Sequence, residues 1–260
     1  MKADIKTLML IPLMTVALEA GACTSATDDG GTAAAVKADS TVRADTILKA
    51  DTTVVEEISY DYIPGRLTDE DIREVADELG VEVAAIRAVI EIEAGARHEG
   101  FWSAGKPIIN FDLSMFRKFA ARNKVNLSKY KKSHAVVFAR PNRARYGSYQ
   151  TVQQARFDAA RTIDDKTAIQ GTFWGMFQLG GFNWKTCGCK SPDEFVNLMS
   201  RSERDQLELF AEFVRETGML PYLKAKNWAA FARRFNGPSY ARRGYHTRLA
   251  RAYAKHKKDK

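Results

Sequence analysis

Beyond Leu67, apolar residues recur three and four positions apart through most of the chain. That is the interval of an amphipathic helix, in which each residue turns by about 100°. Thr68-Asp69-Glu70-Asp71 offers a capping threonine followed by acids, Ile72, Val75, Ala76 and Leu79 form the stripe behind it, and Gly80 ends it. A second helix is predicted from Glu82 to Ala94. Its stripe is Val83, Ile86, Val89 and Ile90, and Glu93 falls on the same side. Arg87 and Glu91 fall on the far side, four residues apart, a spacing at which they pair on a solvated surface. Gly100 to Asp112 reads as a small hairpin turning at Gly105-Lys106-Pro107. A helix follows near Ser114, then an irregular stretch to Gln150. Val152, Ala155, Ala159 and Ile163 predict one helix over 151–169. Ser191 to Met199, Glu203 to Thr217 and Asn227 to Phe235 read as further amphipathic helices, and a basic one runs from about Arg243. Strand-like segments are few, so the fold class is mainly α, with a small β-hairpin beside the Glu93 helix.

The first sixty residues break this pattern. Lys2 and Lys6 precede an apolar run from Leu8 to Leu18, and Ala20-Gly21-Ala22 stands before Cys23. A basic start, an apolar middle and small residues at the cut make residues 1–22 a secretory signal, too short to span a bilayer. The cysteine after small residues also resembles a lipoprotein box, although Ala20 replaces its usual leucine. Lipidation at Cys23 and plain export are the two readings. Residues 23–64 are small and polar and contain a six-residue repeat beginning at Lys37, Arg43 and Lys49. With so few large apolar groups it reads as a disordered tether. The folded domain is assigned to 65–260, and 45% hydrophobic residues suffice for one substantial core.

Two stretches carry candidate chemistry. A carboxylate on an apolar helix face loses hydration in its charged form, so Glu93 is expected to hold its proton near neutral pH, as a general acid must. Asp112 is open to two readings, the second carboxylate of a two-acid site or the cap of the helix that follows it. Gly171 to Trp184 packs glycines among aromatics, which suits backbone near a ligand and rings on sugar faces. The competing reading is that these rings are core.

Several segments, in order, resemble the N-acetylmuramidase domain of phage endolysins, in the goose-type and lytic-transglycosylase branch of lysozyme-like folds. They are Ala85 to Glu93, Gly105 to Asp112, Trp174 to Asn183, Ser202 to Leu207 and Trp228 to Tyr240. The resemblance implies an α+β lysozyme-like fold and cleavage of the β-1,4 bond between N-acetylmuramic acid and N-acetylglucosamine in peptidoglycan. It makes Glu93 the acid that protonates the departing oxygen. It also implies that Gln178 and the backbone around Gly175 line the cleft, with Asn236 and Tyr240 near the sugars, while Trp174 and Phe177 are the rings of the aromatic stretch expected to bind substrate. Three positions depart from the family pattern: Asp112 replaces glutamate, Phe173 a small serine and Phe235 a tyrosine. Lytic transglycosylation of the same bond and a non-catalytic wall-binding module are the alternatives.

The net charge of +8 is concentrated at the end, where twelve Lys or Arg from Lys224 onward face Asp259 alone. An anionic partner is expected, wall polymers or a lipid surface, and no nucleic-acid motif accompanies the charge. Neither a cofactor nor a metal site is expected, because Cys187 and Cys189 lack a second pair and the four histidines show no ligand spacing.

Overall fold

The computed structural model describes residues 65–94, 99–139 and 150–258. The signal segment, Cys23 and the repeat therefore lie outside the described residues, as does His98. Eleven α-helices and five short strands make up the described part, a mainly helical α+β domain of lysozyme-like architecture.

Helix α1 (Asp69–Leu79) starts as its sequence dictates. The Thr68 hydroxyl accepts from the Asp71 amide and the Asp71 carboxylate accepts from the Thr68 amide, a reciprocal cap. Gly80 closes the helix with φ +59°, a left-handed conformation that glycine adopts without a side-chain clash. Helix α2 (Val83–Glu93) buries Ala84, Ala85, Ile86, Ala88, Val89, Ile90 and Glu93, which is more than one stripe. A helix enclosed on most sides is the centre of its domain. Its alanines let α1 and α11 (Tyr245–His256) approach closely, and α11 is its most extensive neighbour. The predicted Arg87–Glu91 pair does not form. Arg87 reaches Asp69 at 2.9 Å, and Glu91 reaches Lys255 at 3.0 Å and His256 at 2.8 Å, because packed neighbours bring partners closer than the next turn does.

The hairpin is β1 (Phe101–Ser103) with β2 (Lys106–Pro107), so it turns at Ala104-Gly105 and Lys106 and Pro107 belong to a strand. Its continuation, β3 (Ile109–Phe111), opens a second antiparallel sheet that the hydrophobic pattern did not predict. There β3 pairs with β4 (Thr172–Trp174), Asn110 opposite Phe173, and β4 pairs with β5 (Leu179–Gly180). These strands are two or three residues long, too short to display a period of two. Helix α3 (Leu113–Arg122) follows β3. A 3₁₀ turn at Leu127–Tyr130 and the short α4 (Ala135–Phe138) come next.

The single helix predicted over 151–169 is two, α5 (Gln150–Arg161) and α6 (Asp165–Gln170). Asp164 breaks the run by capping α6, its carboxylate accepting from the Thr167 amide at 2.8 Å. The buried face of α5 is also not the predicted one. Gln153, Arg156, Phe157 and Ala160 face inward and Val152 is 48% exposed. The inward Gln153 has a task, accepting from the Phe111 amide at 3.0 Å, and Gln150 does the same for Ile109 at 2.9 Å. The outer edge of β3 is thus satisfied by side chains of α5, an arrangement that apolar periodicity does not register.

Helices α7 (Pro192–Arg201), α8 (Glu203–Glu216), α9 (Leu220–Lys224) and α10 (Trp228–Phe235) complete the domain. Phe177 stacks on Phe210 with centroids 4.3 Å apart, and Phe235 packs on Phe210, Phe213 and Phe231. Each such ring, removed from water, contributes about 2–3 kcal/mol before entropy is counted. Phe235, one of the departures from the family pattern, is therefore a core residue. Cys187 and Cys189 are free and buried, and burial raises both thiols, that of Cys189 to about 11. Among the described residues no helix is long and apolar enough to cross a membrane.

Candidate active site

Glu93 stands at the last position of α2, on its buried face, and is 8% exposed. Its Oε1 accepts from Asn236 Nδ2 at 3.0 Å, and its Oε2 is enclosed with no partner. Loss of hydration lifts the carboxyl to about 7, against the smaller opposing effects of the Asn236 hydrogen bond and the Arg248 charge. Among the described residues no second carboxylate contributes to that shift.

Two other elements converge on this acid, the end of α10 and the start of α11. Asn236 follows α10 directly, and its own Oδ1 is also buried without a partner. Tyr245, the first residue of α11, is buried, and its hydroxyl is raised first by burial and then by the charge on Glu93. Arg248, one turn on, lies over the Tyr245 ring, 5.4 Å from its centroid. Tyr240 sits in the loop between α10 and α11 with its ring 5.5 Å from that of His246. Of the residues expected near the sugars, Asn236 thus holds the acid itself.

Asp112 takes the capping role. Its Oδ1 accepts from the Ser114 amide at 2.8 Å, the Met115 amide at 2.9 Å and the Ser114 hydroxyl at 2.5 Å. One oxygen serving three donors at a helix start is a fixed structural group. Trp174 and Phe177 are each 2% exposed and belong to the core. The Trp174 ring meets Phe157 and Phe195 edge-on and donates Nε1 to the Ile169 carbonyl at 3.3 Å, so neither face is free for a sugar. Phe173, the second departure, is likewise buried, edge-on to Phe182. Gly175 and Gln178 form the turn between β4 and β5. Gly175 has φ +67°, and the half-buried Gln178 donates Nε2 to its carbonyl at 2.9 Å.

The turn is locked from α8 by residues whose role hydrophobic patterning did not identify. Gln206 accepts from the Met176 amide at 2.7 Å and donates to the Met199 carbonyl at 2.8 Å and the Gly100 carbonyl at 3.4 Å. A methyl group on Gly100 would stand 2.3 Å from the Gln206 amide, and one on Gly175 2.6 Å from it, so both must be glycine for the lock to close. Glu203 accepts from Leu67 at 2.8 Å and Gly100 at 2.7 Å. The signal was available, since Glu203 shares the apolar stripe of Leu207, Phe210 and Val214 just as Glu93 shares that of Ile86 and Val89. The two buried acids differ in their partners. Glu203 has a backbone donor on each oxygen, whereas Glu93 keeps one oxygen unmatched, an arrangement that costs roughly 1–3 kcal/mol.

Arg204 gathers Asp71, Glu74 and Glu208 into an ion-pair network between α1 and α8. A groove in that region is lined by Glu78, Cys187, Leu198 and Arg215 among others, and contains none of the residues around Glu93.

A family model described as N-acetylmuramidase matches residues 82–257. Among solved structures, the crystal structure of the Burkholderia AP3 phage endolysin is 36% identical, with 76% of this chain and 73% of that chain covered and a TM-score of 0.64. No curated protein matches.

Proposed function

Because the chain belongs to the N-acetylmuramidase family, whose members cleave peptidoglycan, we propose that it cuts the β-1,4 bond between N-acetylmuramic acid and N-acetylglucosamine with Glu93 as general acid. One observation carries this: a buried carboxyl raised to about 7, with one oxygen held by Asn236 and the other unpartnered. With Oε1 engaged, Oε2 carries the proton, and because Oε2 is enclosed in the free protein the side chain must turn toward the bound strand to deliver it to the glycosidic oxygen. As that bond breaks, the proton leaves and Glu93 gains charge, which the Asn236 amide and the Arg248 guanidinium stabilise where little water competes. Gly175, Gln178 and Tyr240 bound the cleft, and the lock formed by Gln206 and Glu203 holds its walls in place.

The second step has two readings. Hydrolysis with a dedicated water-activating acid needs a second carboxylate about 6.5–9.5 Å from the first. The engagement of Asp112 as a cap favours internal transfer, a lytic transglycosylase outcome in which the sugar's own hydroxyl closes the ring. Digestion of purified peptidoglycan by the wild type beside Glu93→Gln tests both. Reducing N-acetylmuramic acid ends, lost in the variant, mean hydrolysis, and 1,6-anhydro ends mean transfer. Equal cutting by the two proteins removes Glu93 from the role. Bound wall material left intact by both proteins makes the domain a binding module.

Action on peptidoglycan calls for a wall-facing location. The segment before Cys23 supplies the export signal in this reading, Cys23 the lipid attachment, and 24–64 the tether. Incorporation of labelled palmitate, abolished by Cys23→Ala, tests the anchor.

A further inference from the structure

The exposed face of α11 carries a row of cations. Arg248, Arg251 and Lys255 follow at intervals of three and four, and Lys258 continues the row in the closing turn. At 1.5 Å per residue the row is about 15 Å long and lies within one stripe. The exposed residues between them are Ala250, Ala254 and Lys257. None is large and apolar, so this face lacks the groups by which an amphipathic helix enters a bilayer.

Glu82, the N-cap of α2, and Glu91 within it take up cations beside the row and one member of it, Lys255. Glu82 holds Lys226 at 2.8 Å and Lys257 at 3.2 Å, and Glu91 holds Lys255 and His256. Among the described residues Arg251 and Lys258 make no ion pair. Like charges three and four apart repel, and Arg248 in the first turn is further opposed by the helix dipole. A row that weakens its own helix calls for a polyanion to neutralise it. The row is also continuous with the active site, since Arg248 at its head acts on Glu93.

We propose that this row binds the carboxylates of the peptide branches on the same glycan strand whose bond is cut at Glu93. The proposal rests on the reading of that site given above. The sugar backbone is largely uncharged, so the row reads the branches. It guides peptide-bearing strands into the cleft and raises their affinity without touching the bond that breaks.

The test is co-sedimentation of the inactive Glu93→Gln protein with intact sacculi and with sacculi whose peptide carboxylates have been converted to neutral methylamides by carbodiimide coupling. Each is repeated with Arg251→Ala and Lys258→Ala added. Loss of two exposed ion pairs weakens binding to intact sacculi about three- to tenfold. The difference is absent on the amidated sacculi, and it disappears near 1 M salt, where screening acts within about 3 Å. In the active protein the same pair raises KM on intact wall and leaves kcat unchanged. An equal loss on both substrates, or none on either, overturns the proposal. So does a loss confined to vesicles of anionic phospholipid, which would make the row a membrane contact. Sedimentation needs no turnover, so failure of the Glu93 reading shows separately, as intact wall left uncut by the active protein.

Discussion

Replacing Glu93 by glutamine should stabilise the protein, by an amount that grows with pH. In the unfolded chain the carboxyl returns to its ordinary value near 4.5, whereas in the fold it is raised to about 7. Between those values the native state holds a proton that the unfolded state has released, so wild-type stability falls as pH rises through that window. At about 1.36 kcal/mol per pH unit, the interval from about 4.5 to about 7 comes to roughly 3 kcal/mol. Glutamine is neutral throughout and carries no such cost, while its side-chain oxygen still accepts from Asn236. Urea denaturation of the two proteins should therefore give nearly equal stabilities at pH 4. At pH 8 the variant should lead by about 3 kcal/mol, a difference worth roughly 6–12 °C in Tm for a domain of this size. A gap that does not widen between pH 4 and pH 8, or a variant that is less stable at pH 8, would refute the reasoning. Glu93 would then be hydrated in the fold, and the basis for its acid role would go with it.

The same raised acid makes cleavage fall with pH above about 7, as Glu93 loses its proton. Asn236→Ala removes the one hydrogen bond that favours the charged form, so the descending midpoint of the pH–rate profile should move up by about one pH unit. A midpoint that stays or falls contradicts this. Gln206→Ala leaves the Met176 amide buried without its acceptor and loosens Gly100 and Met199, at a cost of about 3 kcal/mol in urea denaturation and with activity lost alongside. Asp112→Asn keeps the cap and should keep wild-type cleavage, whereas Asp112→Ala costs about 1 kcal/mol of stability. A cleavage defect in the Asn variant would give Asp112 a chemical role.

The helices that carry the site were legible because each obeys a local rule: a cap at Thr68, a stop at Gly80, an apolar stripe along α2 and another along α8. Glu93 was legible for the same reason, an acid at helical spacing from isoleucine and valine. The segments resembling N-acetylmuramidases fell in the matched family region. Local rules failed where a tertiary partner set the outcome. Arg87 and Glu91 were diverted to Asp69 and to the end of α11, and α5 turned Gln153 rather than Val152 inward to serve the edge of β3. Trp174 and Phe177 read equally well as sugar platforms or as core. Only their packing against Phe157, Phe195 and Phe210 assigned them to the core.

By itself, then, the sequence determined a mainly helical domain, its central helix and the acid on it, since helix periodicity and capping act within a few residues. The tertiary structure alone decided how that acid is held. Asn236, Tyr245 and Arg248 lie more than 140 residues along the chain from Glu93. Desolvation and hydrogen bonding depend on distance in space, and no spacing within α2 encodes which groups the docking of α10 and α11 will bring to its end.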